Sequence, residues 1–181
     1  MVTGDLPSPP DFEALEAWAG AGRVVRAAAS DVAGWRLPRE QKAALTRCGV
    51  PLLEGLVDAA LFEAEPAMYR LAGAGRYEPA WTYLAEPQTG RVLELEASSG
   101  STRFVNSSVN HWLCSLHLVG TWLSGSTAIQ QWDEDEAMED LALAELADAS
   151  QRIRYLDPPA YGEVGDHRTH FWPAVLDRWL Y

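Results

Sequence analysis

Two histidines and a cysteine recur at intervals of three, His111-x-x-Cys114-x-x-His117. These are the residue types that hold zinc. The segment around them is predicted to be helical, and on a helix each three-residue step turns a side chain by about 60°. The two histidines then stand about 120° apart and diverge, which suits a ligand set poorly. The plainer reading is a half-buried cysteine between two surface histidines. His167-x-x-His170 beside Asp166 has the makings of an interfacial zinc site, against a plainer alternative of polar residues opening a capped helix. Cys114 as a nucleophile needs an activating base and an oxyanion site. A histidine is near, but no loop suited to either task stands out. Glu94 and Glu96 alternate onto one face of a strand. Paired carboxylates can do glycosidase work, but on an exposed strand they are expected to be its solvated side. The chain has no phosphate loop, dinucleotide glycine motif, nucleophile elbow or H-E-x-x-H. No catalytic residue, metal or cofactor is expected, and the enzyme reading is kept only as a zinc or cysteine hydrolase built on His111, Cys114 and His117.

The acidic run is more informative. From Asp133 to Asp148 there are eight acids and no base, opening with Trp132-Asp133-Glu134-Asp135-Glu136 and continuing through Glu139 and Asp140. A solvated helix N-terminus explains part of this, because the helix dipole favours acids there. The sharper reading is a docking face for a basic partner, which would relieve the self-repulsion of like charges and speed association. Trp132 at its edge is placed to serve as an anchor, since tryptophan is enriched among interface hot spots. The candidate partner-binding residues are therefore Trp132, Asp133, Glu134, Asp135, Glu136, Glu139 and Asp140.

These residues are carried by elements of unequal clarity. Pro10-Asp11 followed by FEALEAWAG predicts a short helix stopped at Gly20 or Gly22. Val24-Val25 opens a short strand. A helix is expected over 38–48, with Pro38 at N1 and Gly49 as its stop. Leu52, Leu53, Leu56, Val57, Ala60 and Leu61 have helical spacing, weakened by Gly55. Trp81–Leu84, Arg91–Glu96 and Arg103–Val105, separated by turns at Gln88-Thr89-Gly90 and Ser98-Ser99-Gly100, predict an antiparallel meander with one wet face.

The helix that follows is the clearest element, with Ser107 the favoured N-cap. Val109, Trp112, Leu113, Leu116, Gly120 and Leu123 form one stripe expected to lie on the sheet. His111, Cys114, Leu118 and Trp122 occupy the opposite side, so this helix is apolar on both faces. A further helix of the chain, or a partner, is needed to cover the second face. Asp133–Ala149 is expected to be helical. The tail passes through Asp157-Pro158-Pro159 and closes in a short helix at His170–Leu176, its aromatics packed on the body.

Taken whole, 181 residues with 48% hydrophobic and 22% charged residues suit one domain with a sizeable core. Fourteen Lys and Arg against 26 Asp and Glu give a net charge of −12, which argues against a dedicated nucleic-acid binder and against docking on anionic lipid. The last 49 residues hold two thirds of the excess. Two cysteines, Cys48 and Cys114, are too few for a disulfide framework. The opening residues MVTGDLPSPPDFEALE have no basic start and no apolar run, so no secretory leader is expected. A soluble, acidic, cytoplasmic protein is the expectation.

The segment Arg103-Phe104-Val105-Asn106-Ser107-Ser108-Val109, with Trp112 a few residues on, resembles a strand-to-helix step of the SUKH superfamily of bacterial immunity proteins, specifically its fourth subgroup. Cys48-Gly49-Val50-Pro51 is similar to that family's Gly-Leu-Pro step. Thr89-Gly90-Arg91-Val92 is similar to its turn-and-strand segment. Leu156-Asp157-Pro158 and Phe171-Trp172-Pro173-Ala174-Val175-Leu176 are similar to its closing pattern. Together these stretches span about residues 24–180, leaving 1–23 as an N-terminal helical extension to a single domain covering 1–181. Asn110 stands where the family tends to place a glutamate. The resemblance implies an α+β domain, with one largely antiparallel sheet and helices packed around it. It implies a role in binding and neutralising a cognate polymorphic toxin, often a nuclease or nucleic-acid deaminase, with no catalytic residues and no cofactor. A scaffold or regulatory interaction domain of the same fold, without a toxin partner, is the alternative.

Overall fold

The computed structural model describes residues 6–75, 80–133, 136–162 and 169–178. Asp11 caps helix α1 (Phe12–Ala19), its carboxylate accepting the Ala14 amide at 2.8 Å, and Gly20 ends it at φ +98°. Strand β1 (Val24–Val25) pairs antiparallel with β2 (Val50–Pro51), and between them lie α2 (Ala29–Val32) and α3 (Arg39–Arg47). Pro38 is the cap of α3 and not its first helical residue: its ψ of 142° is extended, and its carbonyl receives the Gln41 and Lys42 amides. Gly49 follows the helix at φ +87°, where a Cβ would come within 2.9 Å of the Val25 carbonyl. The conformation and the space both call for glycine.

Residues 52–61 do not form the expected helix. Leu53 bridges to Val57 around a turn with Gly55 at φ +75°, and β3 (Ala59–Ala64) begins two residues later. Asp58 holds that turn by accepting the Gly55 amide at 2.9 Å and the Gly75 amide at 2.7 Å. The spacing that suggests a helix arises because Leu56 and Val57 both reach the core.

From β3 the chain runs through β4 (Tyr69–Ala74), β5 (Trp81–Ala85), β6 (Val92–Glu96) and β7 (Thr102–Asn106). The result is a five-stranded antiparallel meander in sequence order. The three predicted strands are β5 to β7, and β3 and β4 extend the sheet. Cross-strand register places Tyr83 opposite Glu94 and Glu94 opposite Arg103. Tyr83 lies 5.3 Å from Trp112 and 5.8 Å from Phe171, between ring centroids, so this is the face covered by helices.

Glu94 is therefore buried, contrary to the expectation of a solvated carboxylate pair. Arg103 neutralises it at 2.7 Å and in turn stacks over Phe171. Glu96, at the strand end, accepts from Ser99 at 2.6 Å, and its serine neighbours hold its carboxyl below the usual range. Leu93, Leu95 and Phe104 take the other face and are half-buried. A strict alternation marks two faces without saying which is wet; the aromatic neighbours of Tyr83 decide it.

Helix α4 (Val109–Gly125) crosses the covered face, with Val109, Trp112, Leu113 and Leu116 fully buried. Gly120 of the same stripe meets α1 instead, since a Cβ there would overlap the Trp18 ring. The short α5 (Thr127–Gln130) is capped by Ser126. Helix α6 (Glu136–Leu156) starts later and ends later than the expected 133–149, continuing until Asp157 and Pro158 open α7 (Pro158–Tyr161). Helix α6 lies along the second face of α4 and covers it in part. Helix α8 (Phe171–Asp177) buries Phe171 and Trp172 as expected. The α+β class and the largely antiparallel sheet hold. No helix among the described residues is long and apolar enough to cross a membrane.

Candidate functional site

Asn106, at the end of β7, and Asp157, between α6 and α7, are buried polar residues that the fold brings together across 51 positions. Asp157 accepts three hydrogen bonds: Asn106 Nδ2 at 2.9 Å, the Ser107 amide at 2.8 Å and Ser107 Oγ at 2.6 Å. Asn106 Nδ2 also donates to Ser115 Oγ at 3.2 Å, and Asn106 Oδ1 accepts from Trp172 Nε1 at 3.0 Å. Ser107 is thereby committed to Asp157. The N-cap of α4 is Ser108 instead of the favoured Ser107, and its side chain accepts the His111 amide at 3.2 Å. A second buried clamp uses Gln41, which donates to the Thr89 carbonyl at 2.8 Å and accepts the Val109 amide at 3.0 Å. Gly90 is needed beside it, because a Cβ there would overlap the Gln41 side chain. These polar clusters are satisfied internally and tie β7, α4, α6 and α8 together. Their chemistry is that of fold joints.

The His/Cys series diverges as the helical spacing predicts. His111 shares a hydrogen bond with Ser108 Oγ at 2.7 Å. His117 Nδ1 accepts from Trp18 Nε1 at 3.0 Å, so its proton sits on Nε2. Burial depresses the basicity of both imidazoles. The Cys114 thiol is half-buried and donates to the Ser8 carbonyl at 3.5 Å. Burial, with Cys48 adding to it, pushes that thiol up to about 11, which suppresses the nucleophilic thiolate. Among the described residues no three of His, Cys, Asp and Glu converge on a metal position. Asp166 and His167 lie outside the described residues. His170 exchanges a hydrogen bond with Thr169 and fills the space where a side chain on Gly162 would sit.

The acidic segment divides in two. Trp132 is half-buried, packed with Met138 and Ile129 around Ala128 and Ala142, while Asp133 beside it is exposed. Glu136, Glu139 and Asp140 are exposed in the first turns of α6. Their three- and four-residue steps gather them on one side of the helix. Glu134 and Asp135 lie outside the described residues. Glu145, further along, is spent internally: it accepts from Trp122 Nε1 at 3.2 Å and from Ser126 Oγ.

Charge alone does not reveal one further feature. Between α4 and α6 runs an open groove of about 740 Å³, with Leu118 and Trp122 on one wall and Tyr155 and Leu156 on the other. The signal for it is the second apolar face of α4, only part of which α6 covers.

Residues 10–178 match the family model described as SUKH-4 immunity protein, a span that takes in α1 and every element after it. No curated protein and no solved structure matches the chain.

Proposed function

The chain belongs to the SUKH-4 immunity protein family, and we propose that it neutralises a cognate polymorphic toxin by binding it stoichiometrically, without turnover. The toxin is one with a basic surface; a nuclease or a nucleic-acid deaminase is the class whose substrate cleft carries such charge. The supporting observation is the uninterrupted acidic block of a chain at −12, with Asp133, Glu136, Glu139 and Asp140 exposed to solvent. Trp132, Asp133, Glu134, Asp135, Glu136, Glu139 and Asp140 form the docking face. The carboxylates steer the toxin in, and the half-exposed ring of Trp132 makes the apolar contact at its edge. The motif residues Asn106, Ser107, Asp157 and Trp172 hold the framework that presents this face.

Affinity capture of the tagged full chain from its own cells, washed at moderate salt, tests the reading. One stoichiometric partner carrying a basic toxin domain, whose activity the purified chain abolishes, is the expected result. Several weakly held partners and no protection against any toxin would replace it with a scaffold or regulatory role.

A further inference from the structure

We infer that Glu145 is the positioning residue of the docking face: one of its carboxylate oxygens fixes the α5 side of that face, with Trp132, against the acidic turns of α6. This rests on the functional reading above and adds to it what holds the face in shape. The face is built from two pieces. Trp132 and Asp133 follow α5, while Glu136, Glu139 and Asp140 ride on the start of α6.

The apolar support beneath these two pieces is slight. Ala128 and Ala142 form a small cluster of their own, surrounded by Ile129, Trp132, Met138 and Leu146. It stands apart from the main core, to which α6 contributes Ala149 and Ile153 further along. Among the described residues only Leu146 packs against both. Two buried alanines remove little apolar area from water, so this cluster is held far less firmly than the body. From Ala149 back to Glu136 the helix overhangs that body by about 20 Å, at roughly 1.5 Å per residue.

A polar tie makes up for this. Glu145 Oε2 accepts Trp122 Nε1 of α4 at 3.2 Å and also Ser126 Oγ. Ser126 Oγ in turn accepts the Ile129 amide at 3.0 Å, which is the cap of α5. A single oxygen thus joins α4, α5 and α6. Ser126 is 7% exposed and Glu145 half-buried, so the tie is sheltered from water. Neither bond requires charge, because the oxygen of a glutamine amide in the same place can accept both. That separates position from electrostatics. Acting as one more docking acid, Glu145 would lose its effect in glutamine; acting as a tie, it keeps it.

The test compares Glu145→Gln with Glu145→Met in the full chain. Both remove the same charge and keep the side-chain stem, but methionine lacks the acceptor. In the amide correlation spectrum of the chain alone, Glu145→Met is expected to shift or broaden the signals of residues 127–133, and Glu145→Gln to leave them in place. Dissociation from the co-purifying basic toxin domain is then measured where thermal melting shows every chain folded. Glu145→Met is expected to dissociate at least tenfold faster and Glu145→Gln within twofold of wild type. A bond that only stabilised the fold would lower the melting temperature and leave that dissociation unchanged. Ser126→Ala cuts the tie from the α5 side and is expected to move both readouts as Glu145→Met does. Wild-type α5 signals in both Glu145→Met and Ser126→Ala, or equal dissociation of Glu145→Gln and Glu145→Met, overturns the inference and leaves the functional reading intact. A wild-type chain that binds this domain without inhibiting it overturns the functional reading, and the docking role of Glu145 with it.

Discussion

Asp157→Ala removes the acceptor that ties the α6–α7 junction to Asn106 and Ser107 at the end of β7, and the structure sets the size of the effect. The carboxylate is 1% exposed and receives three hydrogen bonds between 2.6 and 2.9 Å. Ser107 Oγ is half-buried and can turn to water. The Ser107 amide and one proton of the Asn106 amide cannot, although Asn106 keeps Ser115. Each buried donor left unpaired costs about 1–3 kcal/mol, and the lost bonds are the stronger, charge-assisted kind. The sum is about 3–5 kcal/mol, a large share of the roughly 5–15 kcal/mol typical of a folded domain. Asp157→Asn keeps the shape but turns an amide donor toward other donors, so about 2 kcal/mol is expected for it. Ser107→Ala loses one half-exposed bond and should cost about 1 kcal/mol. Urea unfolding followed by tryptophan fluorescence reads all three variants on one scale. At a slope of roughly 2–3 kcal/mol per molar, Asp157→Ala should lower the midpoint by more than about 1 M. A midpoint within about 0.3 M of wild type, or Ser107→Ala as damaging as Asp157→Ala, would refute the reasoning that Asp157 is the joint.

Reversing Asp133, Glu136, Glu139 and Asp140 together to lysine should slow association with the toxin domain at least tenfold at low salt, with little change in melting temperature; an unchanged rate removes these residues from the docking face. Gly90→Ala combines strain at φ +70° with overlap onto Gln41, and a loss of about 2–4 kcal/mol is expected in the same unfolding assay. His117 and His111 are less basic when folded than the ordinary 6.5, so the native state holds fewer protons than the unfolded one as the medium acidifies. Their contribution is complete above pH 6.5 and is lost as the pH falls below it through the lower folded values; a His117→Phe chain should show a shallower stability decline between pH 7 and 5.5, and an identical decline would count against it. Cys114, with its thiol at about 11, should react with iodoacetamide at pH 8 about two orders of magnitude more slowly than free cysteine, because its thiolate is correspondingly scarce.

What the sequence reveals and what it hides follow from where each residue's partner lies. The α1 boundaries are local, set by Asp11 and Gly20, and β5 to β7 consist of β-forming alternations between glycine turns. Strands β3 and β4, AALFEA and YRLAGA, are poor in β-formers and owe their conformation to pairing, β4 with β5 and β3 in turn with β4. The choice between Ser107 and Ser108 as cap depends on Asp157, 50 residues away. The inward turn of Glu94 depends on Arg103 opposite it and on the aromatic layer beyond. The acidic run is plain as charge, but spacing alone does not indicate that Glu145 is consumed by Trp122 and Ser126. The groove is half legible: α4 has two apolar faces in any reading, and how much of the second is left open depends on where α6 docks.

The most direct measurement is a titration of the cognate toxin domain's enzymatic activity with the purified chain. Stoichiometric neutralisation predicts a linear fall that reaches zero at one equivalent and recovers when the complex is dissociated by high salt. Undiminished toxin activity at excess chain, or complete inactivation by a small fraction of an equivalent, would contradict it.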